Sequence, residues 1–154
     1  MSLFSLSTGN IAYNTMGHCY FLEDADERDN SFIENFASNT EPLPLEFQLR
    51  PEDSDHRPSS YWISNPQNRY VGNVAAGSAS FGFWLELRTH TIGLARDGGV
   101  VMNPKAMELT LFTDNVAHSN AGDGLSSYEF AYSGNPTFQV RVCQVVLRFF
   151  FFRQ

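Results

Sequence analysis

The feature that most constrains this chain is a short motif that recurs four times: an apolar strand that runs into an asparagine and then into small residues. The four copies are Ile11-Ala-Tyr-Asn14, Phe32-Ile-Glu-Asn35, Tyr70-Val-Gly-Asn73 and Phe112-Thr-Asp-Asn115. Three copies are followed by a second unit of glycine and apolar residues, which begins at Gly17, Gly82 and Gly124. Internal repeats of this kind indicate units that stack on one another. The pattern predicts strand, asparagine turn, strand.

The spacing of the asparagines predicts one coil of a solenoid per repeat, with insertions. The interval from Asn14 to Asn35 is close to the period of about 20 residues at which solenoid repeats begin. The interval to Asn73 is longer, and its excess is the polar, Pro-rich, acidic stretch 38–60, which predicts an inserted loop. The interval from Asn73 to Asn115 fits either two coils or one coil with a loop through 97–104.

These repeats predict an all-β chain, a right-handed parallel β-helix. Its 14% aromatic and 18% charged residues, with 11 Gly and 7 Pro, suit many short strands joined by turns. Stacked coils pair their strands in parallel about 4.8 Å apart, so an asparagine repeated at one turn forms an amide ladder along the axis. We therefore predict a structural ladder of Asn14, Asn35, Asn73 and Asn115.

The domain prediction is a single β-helix over 1–154, with the inserted loop at about 38–60 and an atypical apolar tail at about 136–154. Solenoids normally carry end caps, and the sequence offers none, so we expect a truncated fragment. The first ten residues lack the basic region and long apolar run of a secretory signal peptide. The apolar stretch 140–152 contains Arg141 and Arg148 and is too short to span a bilayer.

Charge excludes several classes of partner. The net charge of -7 and the pI of about 4.9 argue against nucleic acid and anionic membranes, which need clustered Lys and Arg. An acidic glycan would need a local basic patch that the total charge hides. The two cysteines, Cys19 and Cys143, have no metal-binding or redox spacing, and two buried thiols are favoured over a disulfide.

Acidic residues are the first candidates for glycan chemistry, because glycoside cleavage uses one carboxylic acid and a second carboxylate. Glu23 and Asp24 belong to the densest cluster, and His18 adds a group that titrates near neutral pH. These three are the catalytic candidates. Alternation along a strand would put Glu23 and Asp24 on opposite faces. A solvated turn for the acids and turn hydrogen bonding for His18 are the favoured alternatives.

The candidates for substrate binding are Glu86, Trp62 and His118. Glu86 occupies the place in the third repeat that Glu23 holds in the first, and a row of acids along one face could line a sugar-binding groove. Such a row needs a cation or a basic side chain to offset its repulsion, and Ca²⁺ fits carboxylates, although the chain lacks a dense Asp/Asn loop. Trp62 could provide a flat platform for a sugar ring. His118 follows Asn115 much as His18 follows Asn14, so the two histidines are expected to project from similar corners. No histidine spacing indicates a metal site.

Several segments together resemble the cell-migration-inducing and transmembrane hyaluronidases. They are 13–24 (YNTMGHCYFLED), 61–68 (YWISNPQN), 73–78 (NVAAGS) with 82–84 (GFW), and 115–120 (NVAHSN). The fibrocystin-like receptors are similar over the same region, so the resemblance identifies a superfamily more securely than an activity. It covers about 10–128.

The resemblance implies a right-handed parallel β-helix in an extracellular or cell-surface setting. In the hyaluronidase branch it implies endo-cleavage of hyaluronan, helped by Ca²⁺. We expect a β-helix segment that binds or helps to cleave such a polysaccharide, and that is inactive in isolation because the upstream strand-rich domain is absent. The alternative is a non-catalytic module that recognises a glycan or a cell-surface protein.

Overall fold

The computed structural model describes residues 5–48 and 56–127, and these residues form four successive coils of three short strands each. The first coil contains β1 (Leu6–Thr8), β2 (Ile11–Met16) and β3 (Tyr20–Phe21); the second contains β4 (Ser31–Ile33), β5 (Phe36–Glu41) and β6 (Ser59–Ile63); the third contains β7 (Arg69–Val71), β8 (Val74–Ala76) and β9 (Phe81–Leu85); the fourth contains β10 (Leu111–Thr113), β11 (Val116–His118) and β12 (Leu125–Ser127).

Equivalent strands of successive coils pair in parallel and build three sheets. Sheet A has the order β1-β4-β7-β10, sheet B the order β2-β5-β8-β11 and sheet C the order β3-β6-β9-β12. Every pairing is parallel and joins neighbouring coils. This arrangement is a parallel β-helix, and the predicted fold class is confirmed.

Two of the coils carry insertions. In the second coil, an insertion follows Glu41 at the end of β5 and returns before Ser59 at the start of β6, and its described part includes a 3₁₀ turn at Leu45–Phe47. In the third coil, an insertion of residues 86–110 separates β9 from β10. It includes the short helix α1 (Gly93–Asp97) and a 3₁₀ turn at Pro104–Ala106. The interval between Asn73 and Asn115 is therefore one coil with a loop, the second of the two predicted possibilities.

The predicted inserted loop at 38–60 is too wide at both ends, because β5 continues to Glu41 and β6 begins at Ser59. The polar residues there stay in strands because their side chains satisfy one another inside the helix. Thr40 is buried, and its hydroxyl lies 3.1 Å from that of Ser60. A buried hydroxyl with such a partner avoids most of the cost of desolvation. The predicted tail at 136–154 lies outside the described residues.

The interior is built from columns of similar side chains, one from each coil. In sheet C, Tyr20, Tyr61 and Phe83 stack with ring centroids 4.7 and 4.6 Å apart. In sheet A, Phe32 and Tyr70 stack at 4.9 Å. Sheet B contributes small residues instead: its buried column contains Ala37, Ala75 and Ala117. Aromatic pairs contribute about 0.5–1.5 kcal/mol each beyond their burial, so the in-register stacking holds the coils in alignment.

Asparagine side chains link the coils at the turn between sheets A and B. The backbone N–H and the side-chain Nδ2 of Asn35 donate to Oδ1 of Asn73 at 3.1 and 3.0 Å. Asn73 donates to Oδ1 of Asn115 in the same way, at 2.9 Å for both bonds. The structure thus places three of the four predicted residues in one buried amide ladder.

The first rung of this ladder is Asn10, and the assignment of Asn14 to it is wrong. Asn10 donates through its N–H and its Nδ2 to Oδ1 of Asn35, at 3.0 Å in each case. Asn14 lies within β2 and accepts a separate hydrogen bond of 2.8 Å from Nδ2 of Asn39. The reason is register: Ile11 pairs with Phe36, so the residue before Ile11, not the residue after Tyr13, matches Asn35.

Candidate functional site

The outward face of sheet C carries a group of aromatic rings from three coils. Phe21, Trp62 and Trp84 occupy one register on β3, β6 and β9, and Phe81 and His18 lie beside them. We call His18, Phe21, Trp62, Phe81 and Trp84 the aromatic cluster. Its ring centroids lie between 4.2 and 6.1 Å apart in the contacts that join these residues.

His18 is the polar member of the aromatic cluster. Its ring is nearly parallel to that of Phe21, with centroids 5.4 Å apart, and lies 4.2 Å from that of Trp62. The backbone N–H of Ser59 donates to its Nδ1 at 3.2 Å, and the Ser59 hydroxyl lies 3.0 Å from the same atom. Because Nδ1 accepts from a backbone N–H, the neutral ring carries its proton on Nε2.

Exposure within the aromatic cluster is very uneven. Trp62 is 4% exposed, and Trp84 and Phe81 are also buried, whereas Phe21 is 46% exposed and His18 is half-buried. Trp62, the predicted sugar platform, is therefore the floor beneath Phe21 and His18 rather than an open surface. The buried indole nitrogen of Trp62 has no hydrogen-bond partner among the described residues.

A positive charge accompanies this face. The guanidinium carbon of Arg57 lies 5.3 Å from the ring centroid of Trp84 and 5.8 Å from that of Phe81, which is cation–π geometry. Arg57 comes from the end of the second-coil insertion, just before β6. The insertion thus brings to sheet C a basic group that the net charge of -7 conceals.

Glu23 and Glu86 lie just after strands of sheet C, and each follows an outward aromatic of the same register, Phe21 or Trp84, by two residues. Two coils separate these aromatics, which corresponds to about 10 Å along the axis. Glu23 is exposed, whereas the Glu86 side chain is 18% exposed and its carboxylate lies 3.5 Å from the Arg88 guanidinium. The two acids therefore do not share one coil.

Asp24 anchors the third-coil insertion through hydrogen bonds. Its carboxylate accepts a hydrogen bond of 3.1 Å from the N–H of Ala95 in α1, and its carbonyl accepts one of 3.0 Å from Ile92. The carboxylate also lies where a Cβ at residue 93 would be, so the glycine with φ of 53° is required there. Glu27 closes the same turn by accepting from the N–H groups of Glu23 and Asp24 at 2.7 and 2.8 Å.

These contacts predict that Asp24→Ala loosens the insertion while the coils remain folded. Loss of the carboxylate leaves the N–H of Ala95 without its acceptor, and we expect stability to fall by about 1–2 kcal/mol. Limited proteolysis within 86–110 should become several-fold faster than for the original chain. The control is Asp97→Ala, which removes an exposed carboxylate paired with Arg96. Equal proteolysis of the two variants would show that Asp24 does not anchor the insertion.

His118 lies away from the aromatic cluster. It ends β11 in sheet B, where its register partner is Ala76, and its Nδ1 lies 3.1 Å from the Ser119 hydroxyl. The expectation that His18 and His118 project from similar corners is wrong, because His18 precedes β3 of sheet C. The error arises because the first rung is Asn10 and not Asn14. The position of His18 was therefore counted from the wrong asparagine when it was compared with that of His118.

The described residues offer little for metal or redox chemistry. Within 5–48 and 56–127, no group of three or more His, Cys, Asp or Glu side chains is arranged to hold a metal ion. Cys19 is a free, half-buried thiol whose pKa is raised by burial; Cys143 lies outside the described residues. No helix in the same ranges is long and apolar enough to cross a membrane.

Comparison with known proteins identifies the family. The family model described as the CEMIP β-helix matches residues 6–125, from the start of β1 to the start of β12. The chain belongs to the CEMIP β-helix family. The resemblance found in the sequence motifs is thereby confirmed.

Relatives of this family member include both of the expected groups. The cell surface hyaluronidase of Danio rerio is 32% identical over 137 residues, which cover 75% of the chain and 10% of the relative. The cell surface hyaluronidase CEMIP2 of Homo sapiens is 29% identical over 134 residues, with the same two shares. Fibrocystin-L of Mus musculus is 31% identical over 120 residues, 78% of the chain and 3% of the relative. The chain thus spans a tenth or less of these relatives.

Sequence reasoning missed Phe21, Phe81 and Arg57 as parts of the site. Phe21 lies in the GHCYFLED segment that carried the resemblance, and strand alternation places it outward opposite the inward Tyr20, so a signal was present. Phe81 joins Trp84, with ring centroids 4.7 Å apart, although strict strand alternation would place residues three positions apart on opposite faces. Arg57 arrives through an insertion, and repeat spacing says nothing about where an insertion returns.

Proposed function

We propose that this chain is a polysaccharide-binding β-helix module of a hyaluronidase-like extracellular or cell-surface protein, and that it holds hyaluronan or a related glycan on the outward face of sheet C. The observation that carries the proposal is the aromatic cluster, with a half-exposed Phe21 and His18 over a buried Trp62 whose N–H has no acceptor among the described residues. Family membership supports the glycan as the class of ligand.

The chemistry of the aromatic cluster suits a sugar ring. A sugar has an apolar face that packs on an aromatic ring and hydroxyl groups at its rim that accept and donate hydrogen bonds. Phe21 would provide the ring for packing, and His18 would provide hydrogen bonding. The Trp62 N–H is a donor that lacks an acceptor in this part of the molecule, and such buried donors cost free energy until they are paired.

Charge on the same face suits an acidic glycan. Arg57 lies against Trp84 and Phe81, and Arg88 lies beside Glu86. A guanidinium group binds carboxylates through paired hydrogen bonds, so these arginines would recognise the carboxylates of a uronic-acid polymer. The Glu86 carboxylate would reduce the positive charge of this face. A Ca²⁺ ion beside Glu23 would increase it.

The positions of the acidic residues favour recognition of a glycan by this chain over its cleavage. Glu23 and Glu86 are two coils apart, Asp24 is bonded to α1, and Glu27 is bonded to the turn. A cleaving pair needs two carboxyl groups that converge on one bond. We therefore propose that cleavage, where it occurs in the parent protein, uses residues beyond these coils, and that His18 and Glu23 contact the bound chain.

The test is calorimetric titration of the purified chain with hyaluronan oligosaccharides, with and without Ca²⁺, after circular dichroism has confirmed β structure. Phe21→Ala should weaken binding about tenfold, because loss of about 1.4 kcal/mol of ring packing corresponds to that factor. The matched control is Phe47→Ala, since Phe47 is an exposed ring on the second-coil insertion. Equal affinities for the two variants would exclude sheet C as the binding face.

Size-exclusion analysis of high-molecular-weight hyaluronan with the same samples distinguishes binding from cleavage. Binding without shortening supports a recognition module, whereas shortening would contradict the proposal that cleavage lies outside these coils. A folded chain that binds no hyaluronan overturns the glycan proposal. That outcome favours the second candidate, a module for protein partners as in a fibrocystin-like receptor, which the 31% identity to fibrocystin-L supports.

A further inference from the structure

The third-coil insertion crosses the turns of the two preceding coils. Its helix α1 is bonded to Asp24, which lies in the turn after β3. Its second half, 98–110, meets the turn after β6, where the N–H of Thr110 donates to the carbonyl of Pro66 at 3.1 Å. Met102 belongs to this second half. Its side chain provides a further link between the insertion and the second coil.

The link is a hydrogen bond between the Met102 sulfur and a buried amide. Nδ2 of Asn65 donates to the Met102 sulfur at 3.2 Å and to the carbonyl of Ala25 at 2.8 Å. The side-chain oxygen of Asn65 accepts a bond of 2.9 Å from the N–H of Gln67. Asn65 is fully buried, so the loss of one partner leaves a buried donor unpaired. Both N–H groups of this amide are thus paired, and one of them depends on the sulfur of Met102.

The Met102 side chain is only partly shielded from small oxidants. Met102 is half-buried and stands between Val101, which is 98% exposed, and Asn103, which is also exposed. Thioethers of this kind are oxidised to sulfoxides. With hydrogen peroxide, a sulfur lone pair attacks one oxygen, the O–O bond breaks and an S–O bond forms. The leaving hydroxide takes the proton of the transferred oxygen and becomes water, so sulfur loses the two electrons that the peroxide gains.

We propose that Met102 is an oxidation site, and that its conversion to the sulfoxide releases the second half of the third-coil insertion from the second coil. The sulfoxide is polar and carries an additional oxygen on the sulfur. If this oxygen lies between the sulfur and the Asn65 amide, the sulfur must move away by about the length of the new bond. If it faces solvent, the sulfur becomes positively polarised and no longer attracts the Asn65 N–H. Both arrangements weaken the link.

The test compares proteolysis of the chain before and after treatment with hydrogen peroxide. The background is Met16→Leu/Met107→Leu, which removes the exposed Met16 and the second methionine of the insertion. Peptide mass mapping measures the sulfoxide at residue 102. Full oxidation there should speed cleavage within 86–110 about fivefold, the factor that corresponds to one lost hydrogen bond when the protease acts on a transiently open insertion. Methionine sulfoxide reductases should restore the original rate.

The matched control adds Met102→Leu to the same background, and its cleavage rate should be equal before and after peroxide. The cysteines and Met1 are present in both chains, so their oxidation affects both equally. Circular dichroism establishes that each chain is folded. Three outcomes would overturn the proposal: no sulfoxide at residue 102 under conditions that fully oxidise Met16 in the original chain, full oxidation at 102 without faster cleavage, and equal acceleration in the control. If the control does not fold, an acceleration that persists after the reductases have repaired residue 102 would overturn it instead.

Discussion

Replacing Asn73 by alanine should lower the free energy of unfolding by about 4 kcal/mol. The Asn73 amide accepts from the N–H and the Nδ2 of Asn35. It also donates to the carbonyl of Phe32 at 2.8 Å and to Oδ1 of Asn115 at 2.9 Å. Alanine leaves several buried groups without partners, and each costs about 1–3 kcal/mol.

Urea denaturation followed by circular dichroism measures this loss, and the ladder supplies its own graded control. Asn10→Ala removes the exposed first rung, where water can replace the lost bonds, so we expect a loss of about 1 kcal/mol. Asn103→Ala is a matched control, because Asn103 is exposed and its side chain makes no capping hydrogen bond; we expect almost no change. If Asn73→Ala costs no more than Asn103→Ala, the ladder does not stabilise the coils.

The ladder also shows why the sequence revealed most of the fold but misassigned one turn. In the second to fourth coils, an aromatic residue stands three positions before the asparagine: Phe32, Tyr70 and Phe112. In the first coil this inward position is Ser7, which pairs in register with Phe32. The apolar strand Ile11-Ala-Tyr, which follows Asn10, therefore resembled the apolar strand that precedes the asparagine in the later coils. The repeats were aligned on Asn14 for this reason.

A backbone signal would have corrected this assignment. The residue before each ladder asparagine has a positive φ in all four coils: 63° at Gly9, 53° at Glu34, 66° at Gly72 and 55° at Asp114. Glycine, and to a smaller extent aspartate, adopts this conformation readily. Gly9-Asn10 fits that pattern, whereas Tyr13-Asn14 does not, because an aromatic residue at positive φ is strained.

The candidate site was less predictable than the fold, because contacts across coils and insertions decide it. Strand periodicity shows that Trp62 and Trp84 share a face, but not that the neighbouring rings and Arg57 leave both buried. Asp24 belonged to an acidic cluster in sequence, and only the return path of the third-coil insertion shows that its carboxylate meets the N–H of Ala95. Repeats encode what is common to the coils, and the site depends on what differs between them.

Raising the pH above about 10 should destabilise the protein steeply, by about 3 kcal/mol per pH unit near pH 11–12. Burial raises the pKa of Tyr61 well above its ordinary value of 10.0, and the nearby Tyr20, Cys19 and Tyr70 add to the shift. Burial also raises the pKa of Tyr70, with a further contribution from the charge of Glu27. Both phenols stay protonated in the folded state at a pH where they ionise in the unfolded chain.

The sign follows from proton binding. Above pH 10 the unfolded state binds fewer protons than the folded state, so stability is fully present below that pH and is lost as the pH rises towards the folded pKa values. Each such tyrosine contributes a slope of about 1.4 kcal/mol per pH unit, and two give about 3. Cys19 and Tyr20, whose pKa values burial also raises, act in the same direction.

Phenylalanine variants distinguish the effect of tyrosine ionisation on stability from the effect of side-chain packing. The measurement is urea denaturation at a series of pH values. Tyr70→Phe should halve the alkaline slope at little cost near pH 7, because its buried hydroxyl has no hydrogen-bond partner among the described residues. Tyr61→Phe should also halve the slope but should cost about 1–2 kcal/mol near pH 7, since the Tyr61 hydroxyl donates to the Asn35 carbonyl at 3.0 Å. Tyr13→Phe, at an exposed ring, should leave the slope unchanged. A slope that stays the same in all three variants would mean that alkali unfolds the chain by another route, and the stacked tyrosines would then be excluded as its cause.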